Sequence, residues 1–280
     1  MICRNWAAPR RSKPASPKRV WRGSKGSSSA TNFPRDPKVL RPILERHRLS
    51  LISGWYSGRL LDRSVNEELA AIEVHRALLV AMGCGIVVYA ETSGSIAGDR
   101  CRPLSSRLRL GDDDWHDFGG RLTELAERLL QCGIRLAYHH HVGTVVESEA
   151  EIDRLMAVTG DSVGLLLDTG HLAFAGADPT ILARRYGHRI AHVHCKDVRR
   201  DILASVRAGD ASFLDAVLDG VFTVPGDGCI DFGGVLAALA VADYSGWLVV
   251  EAEQDPAKAP PLAYARLGFG HLSAAARAGL

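Results

Sequence analysis

The chain has 280 residues, 46% of them hydrophobic and 24% charged, with a formal charge of +2. This is ordinary globular material in an amount that fits one large α/β domain, which commonly runs to about 250 residues, and no run is long and apolar enough to span a membrane. The small net charge hides an asymmetry: residues 1–32 hold eight Lys or Arg and no acid, so residues 33–280 carry a net −6, the difference between +2 and +8, which does not suggest a nucleic-acid partner.

Residues 1–32 are rich in Pro, Ser, Arg and Lys and have no apolar period. No hydrophobic region follows the charges, so a secretory signal does not fit. An Arg/Ser-rich transit peptide or plain disorder fits better. A fourth reading is favoured. Read two bases later with permitted codons, the same stretch encodes a helix-like VETCLAEARLAG and a strand-like FEGVELGN, which the visible frame lacks. Residues 1–32 are therefore expected to be a basic, disordered, frame-displaced segment. The catalytic domain is expected over 33–280.

From Phe33 the elements alternate. Residues 34–46 read as a helix with Asp36 near its cap and Pro37 in its first turn. A strand and Gly-rich loop follow at 49–58, a helix at 65–82 and a strand with its loop at 86–95. Then come a helix at 115–132, a strand at 136–141, a helix at 149–159, a strand at 163–171 and a helix at 179–187. A strand at 190–197, a helix at 201–220, a Gly-rich turn entering a helix after residue 224, a strand at 246–256 and a helix at 261–277 complete the chain. Alternating strands and helices predict a parallel sheet with right-handed crossovers. Six strands are legible where a (β/α)8 barrel needs eight. The expectation is a TIM barrel lacking its first strand–helix–strand, whose open edges would invite association into a homo-oligomer.

Four of the strands end in groups that bind metals or move protons. LAYHHH ends at His139, His140 and His141; VGLLLDTGH at Asp168 and His171; IAHVHCKD at His192, His194, Lys196 and Asp197; WLVVEAEQDP at Glu251 and Glu253. In a (β/α)8 barrel the C-terminal strand ends converge on one site. Imidazole with carboxylate suits a divalent ion such as Mn, Co, Zn or Fe. The six cysteines, at 3, 84, 101, 132, 195 and 229, show no C-x-x-C spacing. Free thiols in a reducing cytoplasm are the plainer reading.

The segments FPRDP (33–37), SGWYSGRLL (53–61), YAETSGS (89–95), YHHHVGTVVE (138–147), LLLDTGHLAFAG (165–176), HVHCKDVR (192–199), FTVPGDGCIDF (222–232) and VVEAEQDP (249–256) closely resemble inosose dehydratases of the xylose-isomerase-like barrel group. The resemblance covers about nine-tenths of the chain; of the family's GNKFP motif this chain keeps NFP. It implies a hydro-lyase of myo-inositol catabolism that removes water from scyllo-inosose (2-keto-myo-inositol) to give a trihydroxycyclohexane-1,2-dione. It implies a divalent metal, Mn or Co, with glutathione as a further cofactor, and a cyclitol ketone as the partner, with neither nucleic acid nor membrane. The rival is a sugar or cyclitol isomerase or epimerase on the same metal scaffold, or an inactive product of the displaced frame.

The chemistry distributes the residues. Asp168, at the end of an apolar strand, is costly to bury unpaired and is expected to ligate the metal; a cap on the TGH loop is the plainer alternative. His194 and Glu251, at strand ends, join it. The fourth ligand is either His139 or Glu147 folding back, with Glu147 preferred. His139 and His141 share a side by alternation and are left for proton transfer. His171 is expected to hold a substrate hydroxyl or a water. Lys196 either neutralises an enolate or pairs with Asp197. Glu91, Trp55 and Glu253 are expected to contact substrate, and Tyr56 to wall the pocket or join the core. His140, His192 and Cys195 are expected to be packed, and His47, His75, His116, His188 and His271 to lie on the surface. The loop VPGDG (224–228) either exposes N–H groups to an anion or is a tight turn, with the turn preferred.

Overall fold

The computed structural model describes residues 3–5, 26–29 and 34–278; the rest of the 1–32 segment, with the expectation of disorder there, lies outside the described residues. Two short strands come first, β1 (Cys3–Asn5) and β2 (Gly26–Ser29). Helix α1 (Pro37–Arg46) then starts where it is expected: the Asp36 side chain accepts from Lys38 N at 2.8 Å and Pro37 occupies the first turn. Strand β3 (Ser50–Gly58) leads into α2 (Val65–Ala81), opened by a reciprocal capping box between Ser64 and Glu67. There follow β4 (Ile86–Glu91), α3 (Asp112–Leu130), β5 (Arg135–His139), α4 (Glu149–Val158) and β6 (Val163–Asp168). Next are α5 (Thr169–Ala175), α6 (Pro179–Tyr186), β7 (Ile190–Cys195), β8 (Asp197–Val198), α7 (Arg200–Ala208) and α8 (Phe213–Leu218). The chain closes with β9 (Phe222–Thr223), α9 (Phe232–Val241), β10 (Trp247–Val250) and α10 (Pro261–Ala278).

The six strands read from the sequence are β3, β4, β5, β6, β7 and β10, each pairing in parallel with its neighbour from β3 to β7 and on to β10. The expected gap is filled. The ring runs β1-β10-β7-β6-β5-β4-β3-β2 and closes. Its last two positions are held by strands of three and four residues, and β1 runs antiparallel to both neighbours, unlike a regular (β/α)8 barrel.

Three local expectations are corrected. The strand expected through His171 stops at Asp168, because that side chain caps α5 and turns the chain into a helix. The helix expected over 201–220 is two helices. Asp210, at φ +44°, takes a left-handed turn after Gly209, and Ser212 restarts the next helix by accepting from Asp215 N. Strands β8 and β9 form a small antiparallel pair beside the ring, too short to leave a periodic signal.

Alternation along the strands decides which side chains face inward. Val87, Tyr89, Leu136, Tyr138, Leu165, Leu167, Val193 and Cys195 are buried in the layer between sheet and helices. Val88, Ala137 and Leu166 cluster apart from that layer, as do Ile52 and Val249. Two residues beyond Ala137, Leu166 and Val249 stand His139, Asp168 and Glu251, on the inner parity at the strand ends. No helix among the described residues is long and apolar enough to cross a membrane.

Candidate functional site

Four donors from four neighbouring strands meet at the C-terminal end of the ring: His139 (β5), Asp168 (β6), His194 (β7) and Glu251, the residue after β10. Each offers one ligand atom, and these lie within 4.8 Å of one another. Asp168 Oδ2 is 3.5 Å from His139 Nε2 and 3.5 Å from His194 Nδ1, and His194 Nδ1 is 2.6 Å from Glu251 Oε2. Yet Asp168 Oδ2, His194 Nδ1 and Glu251 Oε2 are buried without hydrogen-bond geometry to any partner. Four ligand atoms this close together could hold a metal ion. Burying such atoms unsatisfied is costly, and a cation between them removes the cost.

The tautomers agree with this. His139 Nδ1 lies 2.7 Å from the His140 carbonyl, which can only accept, so the proton sits on Nδ1 and the Nε2 lone pair faces the cluster. Asp168 divides its work: Oδ1 accepts from His171 N at 2.9 Å and caps α5, while Oδ2 faces the other donors. Read from the sequence as alternatives, capping occupies one oxygen of the carboxylate and leaves the other free to serve as a ligand.

The charges fit a divalent ion. Burial pushes the Asp168, Glu251 and Glu253 carboxyls up, but the charges around them, that of Lys196 prominent in each case, hold all three below the usual range. Burial works against the Lys196 ammonium, and the same carboxylates raise it above its ordinary value. Three carboxylates and one ammonium leave a net −2 before any charge on the imidazoles. Burial likewise opposes the charged form of His194, but Glu251 and Asp168 push its pKa up to about 9, so the field draws positive charge to that position.

A second group adjoins the first. His141, His171 and Glu253 bring ligand atoms within 4.8 Å of one another. Glu253 lies 3.5 Å from His141 Nε2 and 3.8 Å from His171 Nε2. Lys196 Nζ stands between the two groups, 3.0 Å from His171 Nε2, 3.5 Å from Asp168, 3.7 Å from Glu251 and 3.6 Å from Glu253. An ammonium already in that place disfavours a second metal there. His141 Nδ1 lies 2.8 Å from the Val142 carbonyl, so its Nε2 carries a free lone pair. Burial holds the His171 imidazole well below its ordinary pKa.

Three aromatic rings wall this group. Trp55 packs edge-on to His139 and His141. Phe213 packs on His141 and His171, and Phe222 on His171. Sequence reasoning missed both phenylalanines. The Gly209–Asp210 break and the Ser212 cap were the signal that a new helix begins at Phe213. A latch across the top holds that helix: Ser105 N donates to Asp210 Oδ1 at 3.0 Å, Leu104 N to the Ala211 carbonyl at 3.2 Å, and Arg100 pairs with Asp215 at 2.6 Å.

Two expected site residues point elsewhere. Glu147, preferred as fourth donor, accepts from Gly143 N at 2.8 Å and faces Arg107 Nε at 3.2 Å; the fourth corner of the cluster is His139. Glu91, expected to touch substrate, is fully buried and accepts from Leu60 N at 2.7 Å and Ser93 N at 2.9 Å, tying two loops together. Tyr56 stacks on His75 and packs by Tyr89, in the core. His75 is buried rather than on the surface, whereas His47, His116, His188 and His271 are exposed. His140 and His192 are buried; burial lowers the His140 pKa to about 3. Lys196 does not pair with Asp197, whose carboxylate accepts instead from the amides of Gly226, Gly228 and Ile230. The VPGDG turn does present N–H groups to an anion, and the anion is the chain's own.

The chain has known relatives. A family model described as "Xylose isomerase-like TIM barrel" matches residues 22–275. The rhizopine catabolism protein MocC of Rhizobium meliloti is 51% identical over 257 residues, covering 91% of this chain and 79% of its own. An inosose dehydratase of Lacticaseibacillus casei is 42% identical over 254 residues, covering 90% and 85%. Among solved structures, the IOLI protein with a binding zinc atom superimposes with a TM-score of 0.58 at 17% identity, over 87% of this chain and 80% of that one. A probable 3-DHS dehydratase, AsbF of Bacillus anthracis, gives 0.63 at 14%, over 85% and 81%. Those two likenesses concern the fold. By the model match and by the identity to its relatives, the chain belongs to the xylose isomerase-like TIM barrel family and, within it, to the inosose dehydratases.

Proposed function

We propose that the chain is a hydro-lyase that dehydrates scyllo-inosose to a trihydroxycyclohexane-1,2-dione with a divalent metal, Mn or Co, in the inositol catabolism of the cytoplasm. The observation that carries this is the adjacency of a four-donor, net-negative seat to a group of two imidazoles, a carboxylate and an ammonium. The name of the relatives at 42% identity supports the substrate.

Dehydration beside a ketone needs a proton taken from the α-carbon, a means of holding the enolate charge, and a proton for the departing β-hydroxyl. His139, Asp168, His194 and Glu251 would hold the metal, which supplies Lewis-acid polarisation of the ketone and charge stabilisation as the enolate develops. His141 Nε2, with its lone pair free, takes the α-proton, and Glu253 at 3.5 Å stabilises the imidazolium that results. Lys196 offsets negative charge on the substrate. Lys196 and His171, 3.0 Å apart, form the pair from which the β-hydroxyl takes its proton as its C–O bond breaks. The enol left behind tautomerises to the dione. Trp55, Phe213 and Phe222 exclude water around the imidazoles. Glutathione, implied by the resemblance, is tested by omitting it from the assay.

The frame-displaced reading of residues 1–32 is part of this proposal. Its strand-like VELG falls on positions 26–29, the positions of β2, so a strand slot is kept where the visible residues are Gly and Ser. The antiparallel course of β1 is a departure that the restored frame would remove.

The experiment compares this chain with one whose displaced frame is restored upstream of Phe33, both supplied with scyllo-inosose and Mn or Co. Appearance of the dione, lighter than substrate by one water, supports dehydration. A product of unchanged mass would assign the isomerase reading. Activity equal in both chains would remove the frame proposal and leave the chemistry standing.

A further inference from the structure

Asp197 is a buried carboxylate that this chemistry leaves unused. Its side chain is fully enclosed. Oδ1 accepts from the backbone N–H of Val198 at 2.8 Å and Ile230 at 3.0 Å; Oδ2 accepts from Gly226 at 3.0 Å and Gly228 at 3.1 Å. A carboxylate met by four amides is stabilised without a counter-ion. The loop is shaped to it. A Cβ on Gly228 would lie 2.3 Å from Asp197 Oδ1, and Gly226 sits at φ +89°, where a side chain is strained.

The clasp holds more than a turn. The loop continues from β9, whose Phe222 and Thr223 pair with Val198 and Asp197 of β8. The Phe222 ring lies 4.9 Å from Lys196 Nζ. On its other side the Lys196 stem packs on Gly170, where a Cβ would come within 2.6 Å of Lys196 Cγ. Thr169 Oγ1 accepts from Lys196 N at 3.0 Å and donates to its carbonyl at 2.6 Å. A lysine stem is normally free to rotate. Here two walls remove that freedom, and the ammonium stands nearly equidistant from three carboxylates, at 3.5, 3.7 and 3.6 Å.

We propose that Asp197 is a positioning residue for the dehydration. By clasping the amides of residues 226–230 it seats Phe222, and Phe222 fixes the Lys196 ammonium between the metal donors and the proton-transfer group. The proposal rests on the reaction assigned above.

Asp197→Asn keeps the shape but turns an NH2 toward two N–H donors. The test measures kcat and KM on scyllo-inosose with Mn, bound Mn per chain and the urea midpoint, for the wild type, Asp197→Asn, Phe222→Leu and the double variant. A displaced ammonium is expected to lower kcat about 100-fold, with KM and bound Mn nearly unchanged. The double variant is expected to be no slower than the slower single, because both act through one contact. An unchanged kcat in folded Asp197→Asn, or losses that multiply in the double variant, would overturn the proposal. Should Asp197→Asn not fold, Gly228→Ala opens the clasp with the carboxylate intact and must give the same pattern. Should neither the wild type nor the chain with its frame restored dehydrate inosose, the reaction is misassigned, and a crystal structure of Asp197→Asn decides the clasp. Nζ displaced from Asp168, Glu251 and Glu253 supports it; Nζ unmoved overturns it.

Discussion

Glu91 and Asp168 are both acids at the ends of buried strands, both fully enclosed, and they behave as opposites. Glu91 has its oxygens met by the amides of Leu60 and Ser93, and burial raises its pKa. Asp168 has one oxygen met by an amide and the other by nothing with hydrogen-bond geometry, and the Lys196 charge among its neighbours holds its pKa down against burial. A strand-end carboxylate is thus a candidate ligand only when its protein partners leave an oxygen over. That property depends on loops distant in sequence.

Substitutions at the two positions should separate these roles. The largest effect is expected for Asp168→Asn. Loss of the central donor should abolish stoichiometric metal binding and, at several kcal/mol of lost stabilisation, lower kcat/KM by about 1,000-fold. Metal content by elemental analysis checks it, and full metal binding in the variant would break the contrast. Next, Glu251→Gln should lose metal while Glu147→Gln keeps it; the reverse would restore the folded-back carboxylate. Third, chelation should destabilise the wild type by about 2.7 kcal/mol relative to protein with free metal at about 100 times its Kd. The loss should vanish in Asp168→Asn, as read by thermal unfolding. Fourth, Glu91→Gln should cost about 1–3 kcal/mol of stability, because its NH2 would face an amide donor, with bound metal unchanged.

The smallest effect concerns His75. Burial lowers its folded-state pKa below the ordinary 6.5. Its neutral form is therefore the one the fold favours. The associated stability is present above pH 6.5 and is lost as pH falls toward the lowered folded value. Urea midpoints between pH 7 and pH 5 should fall less steeply in His75→Gln than in the wild type.

The strands were legible because each is a continuous apolar run, and the donors because they stand at the ends of those runs. Asp168, His194 and Glu251 needed no more than alternation to be placed on one side. His139 and Glu147 were not separable in sequence, since the choice depends on Arg107, which meets Glu147 from the loop after β4. Glu91 misled for the same reason, its partners lying 31 and 2 residues away. Phe213 was hidden inside what reads as one long helix, and Asp197 beside a lysine that looks like its natural partner. Residues 3–5 and 26–29 carry no apolar pattern, so nothing in them forecast strands.

The latch over the pocket has a kinetic consequence. Asp210 meets Ser105 across 105 residues and Asp215 meets Arg100 across 115, through exposed polar contacts, while from the same loop only the partly buried Ala97 and Leu104 pack on the cluster that holds Phe213. Bringing such distant segments together costs chain entropy that a few solvated bonds barely offset. Opening of this roof should therefore be a local fluctuation, far less costly than global unfolding. The amide of Ser105 should exchange its hydrogen much faster than that of Leu166 in the barrel wall.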